Sequence, residues 1–297
     1  MKKIKKVICI MCVFCLLFST TVYAEAASDE TVTFVEMSFG SDEKEYITVS
    51  SNGIAENNLP AFMPGHLTTV PENSNISPRS IFGSDGREQV TNYSAFPYTA
   101  ICYVVTTWPN GGTTSGTGWL FNEDSMMTAA HCVYNEQYGG VATGMKVYPA
   151  KNGTNLPYGE VEGKSYVLDG RYAEYPSTSY DYALIKLKSS VGNQCGYFGY
   201  TYNGGSIGDT ITVTGYPGDK GLDINNDVPY QWTMSGRLNT VTTNQLSYLI
   251  DTNHGQSGAP VYLTNSNIVI GIHHGSAVVA NTAMRINEEL YQMMIDF

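Results

Sequence analysis

The sequence predicts an all-β fold closed by one C-terminal helix, and three observations lead there. Short runs alternating apolar and polar residues recur at 98–106, 146–148, 209–214 and 268–273, the two-residue period of half-buried strands. Turn-forming Gly, Asn, Asp, Ser and Thr separate those runs throughout, which favours an all-β arrangement over alternating strands and helices. The stretch from Ser80 to Phe297 also suits one compact β unit of about 200 to 250 residues.

The elements follow in chain order. Lys2, Lys3, Lys5 and Lys6 form a cationic start, residues 7–18 an apolar run, and Ala24-Glu25-Ala26 one of two small-residue cleavage sites. That is the pattern of a signal peptide over residues 1–26. The apolar run is too short to span a membrane comfortably and no second candidate follows. Cys9, Cys12 and Cys15 lie inside it, so no lipid-anchoring cysteine follows. The expectation is a secreted, extracellular protein with no membrane association after signal removal. Residues 27–79 are rich in Ser, Asn, Thr, Glu and Pro and show no sustained apolar period, arguing against an independent core. They read as a propeptide or a flexible linker, and the basic Arg79 just before Ser80 favours the propeptide, with 80–297 as the remaining domain. At the far end Ile286, Leu290, Met293, Met294 and Phe297 follow the i, i+4, i+7, i+8, i+11 stripe of an amphipathic helix. No repeat, low-complexity tract or charge block appears.

Ser257 stands in Asn253-His254-Gly255-Gln256-Ser257-Gly258-Ala259-Pro260. Glycines on both sides present a hydroxyl on a tight turn, and the amides of Gly255 and Ser257 can converge as an oxyanion hole. A glycine-framed serine alone is a common turn, so its partners decide. His131 follows the apolar Met126-Met127 and the small Thr128-Ala129-Ala130, and Asp181 opens the alternating run Asp181-Tyr182-Ala183-Leu184-Ile185. A strand-end histidine and a turn aspartate are each ordinary structural residues. Together, in the order His, Asp, Ser, they form the set a serine hydrolase needs: base, orienting carboxylate and nucleophile.

The phrases Thr128-Ala129-Ala130-His131-Cys132, Asp181-Tyr182-Ala183-Leu184-Ile185 and Gly255-Gln256-Ser257-Gly258-Ala259-Pro260 resemble those of the chymotrypsin-like serine proteases. Within that group the chain is most similar to the secreted bacterial glutamyl endopeptidases, from Ser80 to the C-terminus. The resemblance implies two six-stranded antiparallel β-barrels with the active site between them and a boundary near 189–193. It implies a serine endopeptidase acting on protein or peptide substrates, made as a zymogen and cut at Arg79-Ser80. It also places His273 and Thr252 in a pocket that reads a substrate carboxylate, with the freed Ser80 ammonium adding positive potential.

Two features depart from the wider group, Gln256 and the cysteine count, while Asp251 matches it and raises a rival specificity. Trypsin-like zymogens carry an aspartate where this chain has Gln256, so the ion pair of their activation cannot form. Asp251 stands six residues before Ser257, where trypsin-like enzymes bind Lys or Arg, leaving cleavage after Lys or Arg as the rival to cleavage after Glu or Asp. Past the leader only Cys102, Cys132 and Cys195 remain, so at most one intramolecular disulfide can form. Cys132 reads as a buried free thiol. Asp223, Asn225 and Asp227 have the rhythm of a calcium loop, but no glycine follows and Met234 stands where its glutamate would.

A net charge of −11 makes nucleic acid an unsuitable partner. No metal or organic cofactor is expected, and a monomer is. From another class, a protease-like binding protein with an idle triad remains the rival.

Overall fold

The structure, a computed structural model, describes residues 31–41, 43–50, 58–68, 85–220, 222–223, 226–276 and 280–297. Three strands precede the main domain: β1 (Thr31–Ser38), β2 (Lys44–Ser50) and β3 (Asn58–Leu59). The short β4 (Glu88–Gln89) follows. Then come β5 (Ile101–Thr107), β6 (Thr113–Leu120), β7 (Ser125–Thr128), the small pair β8 (Tyr134–Asn135) and β9 (Gly140–Val141), β10 (Gly144–Pro149) and β11 (Val161–Asp169). A short helix α1 (Gly170–Glu174) leads to β12 (Ala183–Leu187).

Six of these strands close on themselves in the order β10-β5-β6-β7-β12-β11, with β10 pairing β11. All are antiparallel neighbours. Their side chains, among them Ile101, Val104, Trp119, Met127, Val147, Val167 and Ile185, are fully buried. Closure removes the exposed sheet edges that a flat sheet would leave.

Residues 188–198, with the single turn α2 (Gly192–Cys195), pass to β13 (Gly199–Thr201). The second barrel is built from β14 (Thr210–Gly215), β17 (Trp232–Val241), β18 (Gln245–Tyr248), β19 (Pro260–Leu263), β20 (Ile268–Ser276) and β21 (Asn281–Arg285), with the hairpin β15 (Leu222–Asp223) and β16 (Asn226–Asp227) between β14 and β17. Its order is β19-β14-β17-β18-β21-β20, closed by β19 on β20. Ile211, Val213, Leu238, Leu246, Tyr248, Ile250, Val261 and Ile270 form its own core. The protein is therefore two six-stranded antiparallel barrels, the fold class that the sequence predicts.

Helix α3 (Glu288–Asp296) ends the chain, and the Asn287 side chain caps it by accepting from the Leu290 amide at 2.9 Å. Leu290, Tyr291, Met293 and Met294 are buried, the stripe expected from their spacing. Tyr291 packs its ring on Tyr200 and Tyr202.

The structure differs from the sequence reading at the N-terminal side. Residues 31–38 and 44–50 are strands, with β1 lying antiparallel on β11 and β2 on β1. Val32, Phe34, Val35 and Met37 are buried, but against the first barrel rather than against each other, so this segment has no core of its own. The run at 98–106 opens as a turn of 3₁₀ helix at Tyr98–Ala100 before β5 begins. Cys102, Cys132 and Cys195 are all buried free thiols.

Candidate active site

The pairing of β7 with β12 brings His131 and Asp181 together. Thr128, at the end of β7, lies opposite Ala183 at the start of β12, so the residues just beyond those ends fall side by side. His131 sits in the 3₁₀ turn Ala130–Cys132, and its own amide donates to Asp181 Oδ1 at 3.0 Å. The second carboxylate oxygen, Oδ2, lies 2.7 Å from His131 Nδ1. With Nδ1 so engaged, Nε2 is left for a substrate or nucleophile. Burial opposes charge on His131, but Asp181 outweighs it and holds the imidazole well above its ordinary pKa of 6.5. Burial likewise pushes Asp181 up, and His131 more than offsets this, keeping the carboxyl below its usual range.

Ser257 comes from the second barrel, on the loop that enters β19, yet the first barrel holds that loop. The Thr117 amide on β6 donates to the Ser257 carbonyl at 2.9 Å. Its hydroxyl donates to the Gly255 carbonyl at 2.7 Å and accepts from the Tyr216 amide at 3.0 Å. Thr128 in turn donates to the Thr117 carbonyl at 2.7 Å. Two glycines let the loop come this close. Gly255 has φ +90° and Gly258 φ +87°, and side chains there would collide with the Tyr216 and Thr117 carbonyls respectively. A Cβ on Gly258 would also stand 2.8 Å from the Ala129 amide nitrogen, so the serine loop abuts the residues flanking His131. Among the described residues no hydrogen bond joins Ser257 Oγ to His131, and the amides of Gly255 and Ser257 donate to no other protein group. Such bonds often tighten only when substrate is present.

Gln256 is buried, and its side-chain oxygen accepts from the Asn253 amide at 2.9 Å. It closes the turn that leads into Ser257 with a neutral bond.

His273, on β20, is 2% exposed, and its Nδ1 lies 2.7 Å from the Tyr248 hydroxyl on β18. Burial, reinforced by the neighbouring His274 and His131, pushes its imidazole down to about 3, so the ring is neutral at ordinary pH. Its backbone is tied to the serine loop, donating to the Ala259 carbonyl at 2.9 Å and accepting from the Gly258 amide at 2.7 Å. Thr252 is half-buried on the strand-to-loop connection ahead of Ser257. Ser80 and Arg79 lie outside the described residues. His274 is buried, and its Nε2 has no hydrogen-bond partner among the described residues.

One contributor escaped the sequence reading, and another has a partner that the reading missed. Tyr248 looks like any inward aromatic on a strand, and only its 2.7 Å contact with His273 sets it apart. Asp251 was readable as a Lys or Arg receptor, but its Oδ2 accepts from the Gly86 amide at 2.9 Å. Around this tether Arg87 bridges Asp85 and Asp219, while Lys220 pairs with Asp85 at 2.7 Å and lies over the Trp232 ring. The carboxylate is thus engaged by the segment just downstream of Ser80.

Of the acidic run at 223–227, Asn225 and the side chains of Asp223 and Asp227 lie outside what is described. No three His, Cys, Asp or Glu side chains converge as a metal site, and no helix is long and apolar enough to cross a membrane, among the described residues.

Residues 85–288 match the trypsin family. A glutamyl endopeptidase of Bacillus licheniformis is 35% identical over 76% of this chain and 72% of its own length. A Bacillus subtilis protein named extracellular metalloprotease is 32% identical, with the same coverages of 76% and 72%. A glutamyl endopeptidase of Staphylococcus epidermidis is 27% identical, yet the likeness spans 99% of this chain and 96% of that protein. A solved Glu endopeptidase, in complex with MPD, superposes with a TM-score of 0.66 and 29% identity, covering 73% of this chain and 98% of that one.

Proposed function

The chain belongs to the trypsin family, and on that premise we propose that this serine endopeptidase cuts peptide bonds after glutamate or aspartate with Ser257, His131 and Asp181. In this reading Ser257 Oγ attacks the scissile carbonyl while His131 takes its proton and later delivers it to the leaving amine. Asp181 holds the ring through Nδ1 and stabilises the imidazolium. The Gly255 and Ser257 amides receive the developing oxyanion, each such donor being worth roughly 3 kcal/mol in comparable sites. The observation that carries the reading is the 2.7 Å bond from His131 Nδ1 to Asp181 Oδ2 beside a serine loop held by the first barrel.

Acidic specificity rests on His273. A neutral imidazole whose Nδ1 accepts from Tyr248 carries its proton on Nε2, and that N–H can donate to a substrate carboxylate with the Thr252 hydroxyl alongside. Asp251, already bonded to the Gly86 amide, speaks against a pocket for Lys or Arg. The two relatives named glutamyl endopeptidase, at 35% and 27% identity, point the same way.

The same proposal includes export by a leader at 1–26, a prosegment at 27–79 removed at Arg79-Ser80, placement of the Ser80 ammonium near the pocket, and a monomeric enzyme. Digestion of a mixed peptide library, with sequencing of the new C-termini, tests the specificity; an accumulation of Lys or Arg there refutes it. Ser257→Ala tests the chemistry, since near wild-type turnover in a folded variant would remove the serine from its role.

A further inference from the structure

The prosegment does not only precede the enzyme; it is built into both barrels. Strand β1 pairs with β11 from Phe34 opposite Asp169 to Ser38 opposite Ser165. Ser165 donates to Glu36 at 2.9 Å, and the Phe39 ring packs tilted against Tyr166 at 4.8 Å. Farther along, β3 pairs with β13 of the second barrel's sheet, Leu59 opposite Tyr200. Phe62 and Tyr197 exchange both backbone bonds at 2.9 Å and stack their rings 5.0 Å apart. The Thr68 carbonyl then accepts from the Phe96 amide at 2.8 Å. The enzyme domain is shaped for these passages: a Cβ on Gly170 would stand 2.7 Å from the Thr33 carbonyl, and one on Gly199 2.6 Å from the Ala61 amide.

On the downstream side, residues 86–90 are held just as firmly. Gly86 bonds to Asp251, β4 pairs with β17, and the Val90 amide donates to the Gln231 carbonyl at 2.9 Å. A cut at Arg79-Ser80 therefore falls between two anchored stretches and breaks none of these bonds.

We propose that the prosegment stays docked after that cut, as a separate peptide that clamps the two barrels together by adding two strands to the first sheet and one to the second. The inference rests on the reading of Arg79-Ser80 as the processing site. Cleavage severs one peptide bond and leaves the strand pairing, so release requires dissociation or further digestion of the clamp. The exposed charges of β2, such as Lys44 and Glu45, leave its outer face open to such digestion.

The test uses residues 27–297 carrying Ser257→Ala, so that the protein cannot digest its own prosegment. An Arg-specific protease makes the cut, N-terminal sequencing locates it, and gel filtration with native mass spectrometry reads the assembly. The two pieces are expected to travel together at one to one and to part only on dilution or in denaturant. Gly170→Ala in the enzyme domain and Phe34→Ala in the prosegment should each raise the concentration at which the pieces part by about tenfold or more. Phe34→Ala leaves the enzyme domain unaltered, so its result stands even if Gly170→Ala folds poorly. Separation immediately on cutting overturns the proposal, as does a midpoint that Phe34→Ala leaves unchanged. A new N-terminus other than Ser80 refutes the processing site, and co-migration of the pieces is read independently of it.

Discussion

Tyr248→Phe removes one oxygen from a fully buried site and leaves the ring that fills the second core. In the wild-type protein that oxygen lies 2.7 Å from His273 Nδ1; the only other contact it makes among those described is a long 3.5 Å approach to the Thr282 carbonyl. The lost interaction is therefore almost entirely the one with the imidazole. Leaving a buried neutral group unpaired costs about 1 to 2 kcal/mol. On the proposed tautomer it also frees the ring to carry its proton on Nδ1, which would turn a bare Nε2 toward the bound carboxylate. At about 1.4 kcal/mol per factor of ten, kcat/KM for a Glu peptide should fall about five- to thirtyfold. The loss should sit mainly in KM, because the contact is made in the ground state as well. The assay is steady-state hydrolysis of a Glu peptide and of an ester lacking that carboxylate, with thermal denaturation as the check on folding. The ester should be nearly unaffected. An unchanged rate on Glu, or an equal loss on both substrates, refutes the reasoning.

His273→Ala should cost a Glu substrate thirtyfold or more in kcat/KM, from about 2 to 4 kcal/mol of lost pairing to a buried carboxylate, with His274→Ala as the comparison; equal effects would remove the distinction between them. Asp251→Ala should create no preference and should weaken Glu cleavage by loosening residues 85–87, whereas a wild-type preference for Lys or Arg that disappears in this variant restores the trypsin-like reading. His131 must be neutral to act as base, and Asp181 holds its pKa well above 6.5. Rates on an uncharged ester should therefore decline as pH falls through a value above 6.5, and a profile flat down to about pH 6 contradicts this.

Much of the fold was legible because its strands obey one rule. The runs at 209–214 and 268–273 are rich in β-branched residues, and each became a barrel strand, buried along most of its length. The strands β1 and β2 were not legible because their period is broken. Val35 is buried next to Phe34, and in β2 only Val49 is buried, since β1 lies along β11 of the first barrel and β2 is the outermost strand. The candidate triad could be read as three phrases, but the contact between His131 and Asp181, fifty residues apart, is set by strand register. Gly86 and Asp251, 165 residues apart, gave no sign of each other, because a backbone amide leaves no mark in the residue type. Tyr248 was hidden for the opposite reason: a buried tyrosine is common, and its polar partner lies on another strand.

Thr117 gives the molecule a property that neither barrel has alone. Its amide and hydroxyl fix the backbone on both sides of Gln256, so the serine belongs to one half of the polypeptide and its placement to the other. A chimera joining the second barrel of this chain to the first barrel of a relative would therefore aim its hydroxyl according to the donor of residue 117. Recombination within this architecture is then constrained less by the junction peptide than by a single threonine far from it.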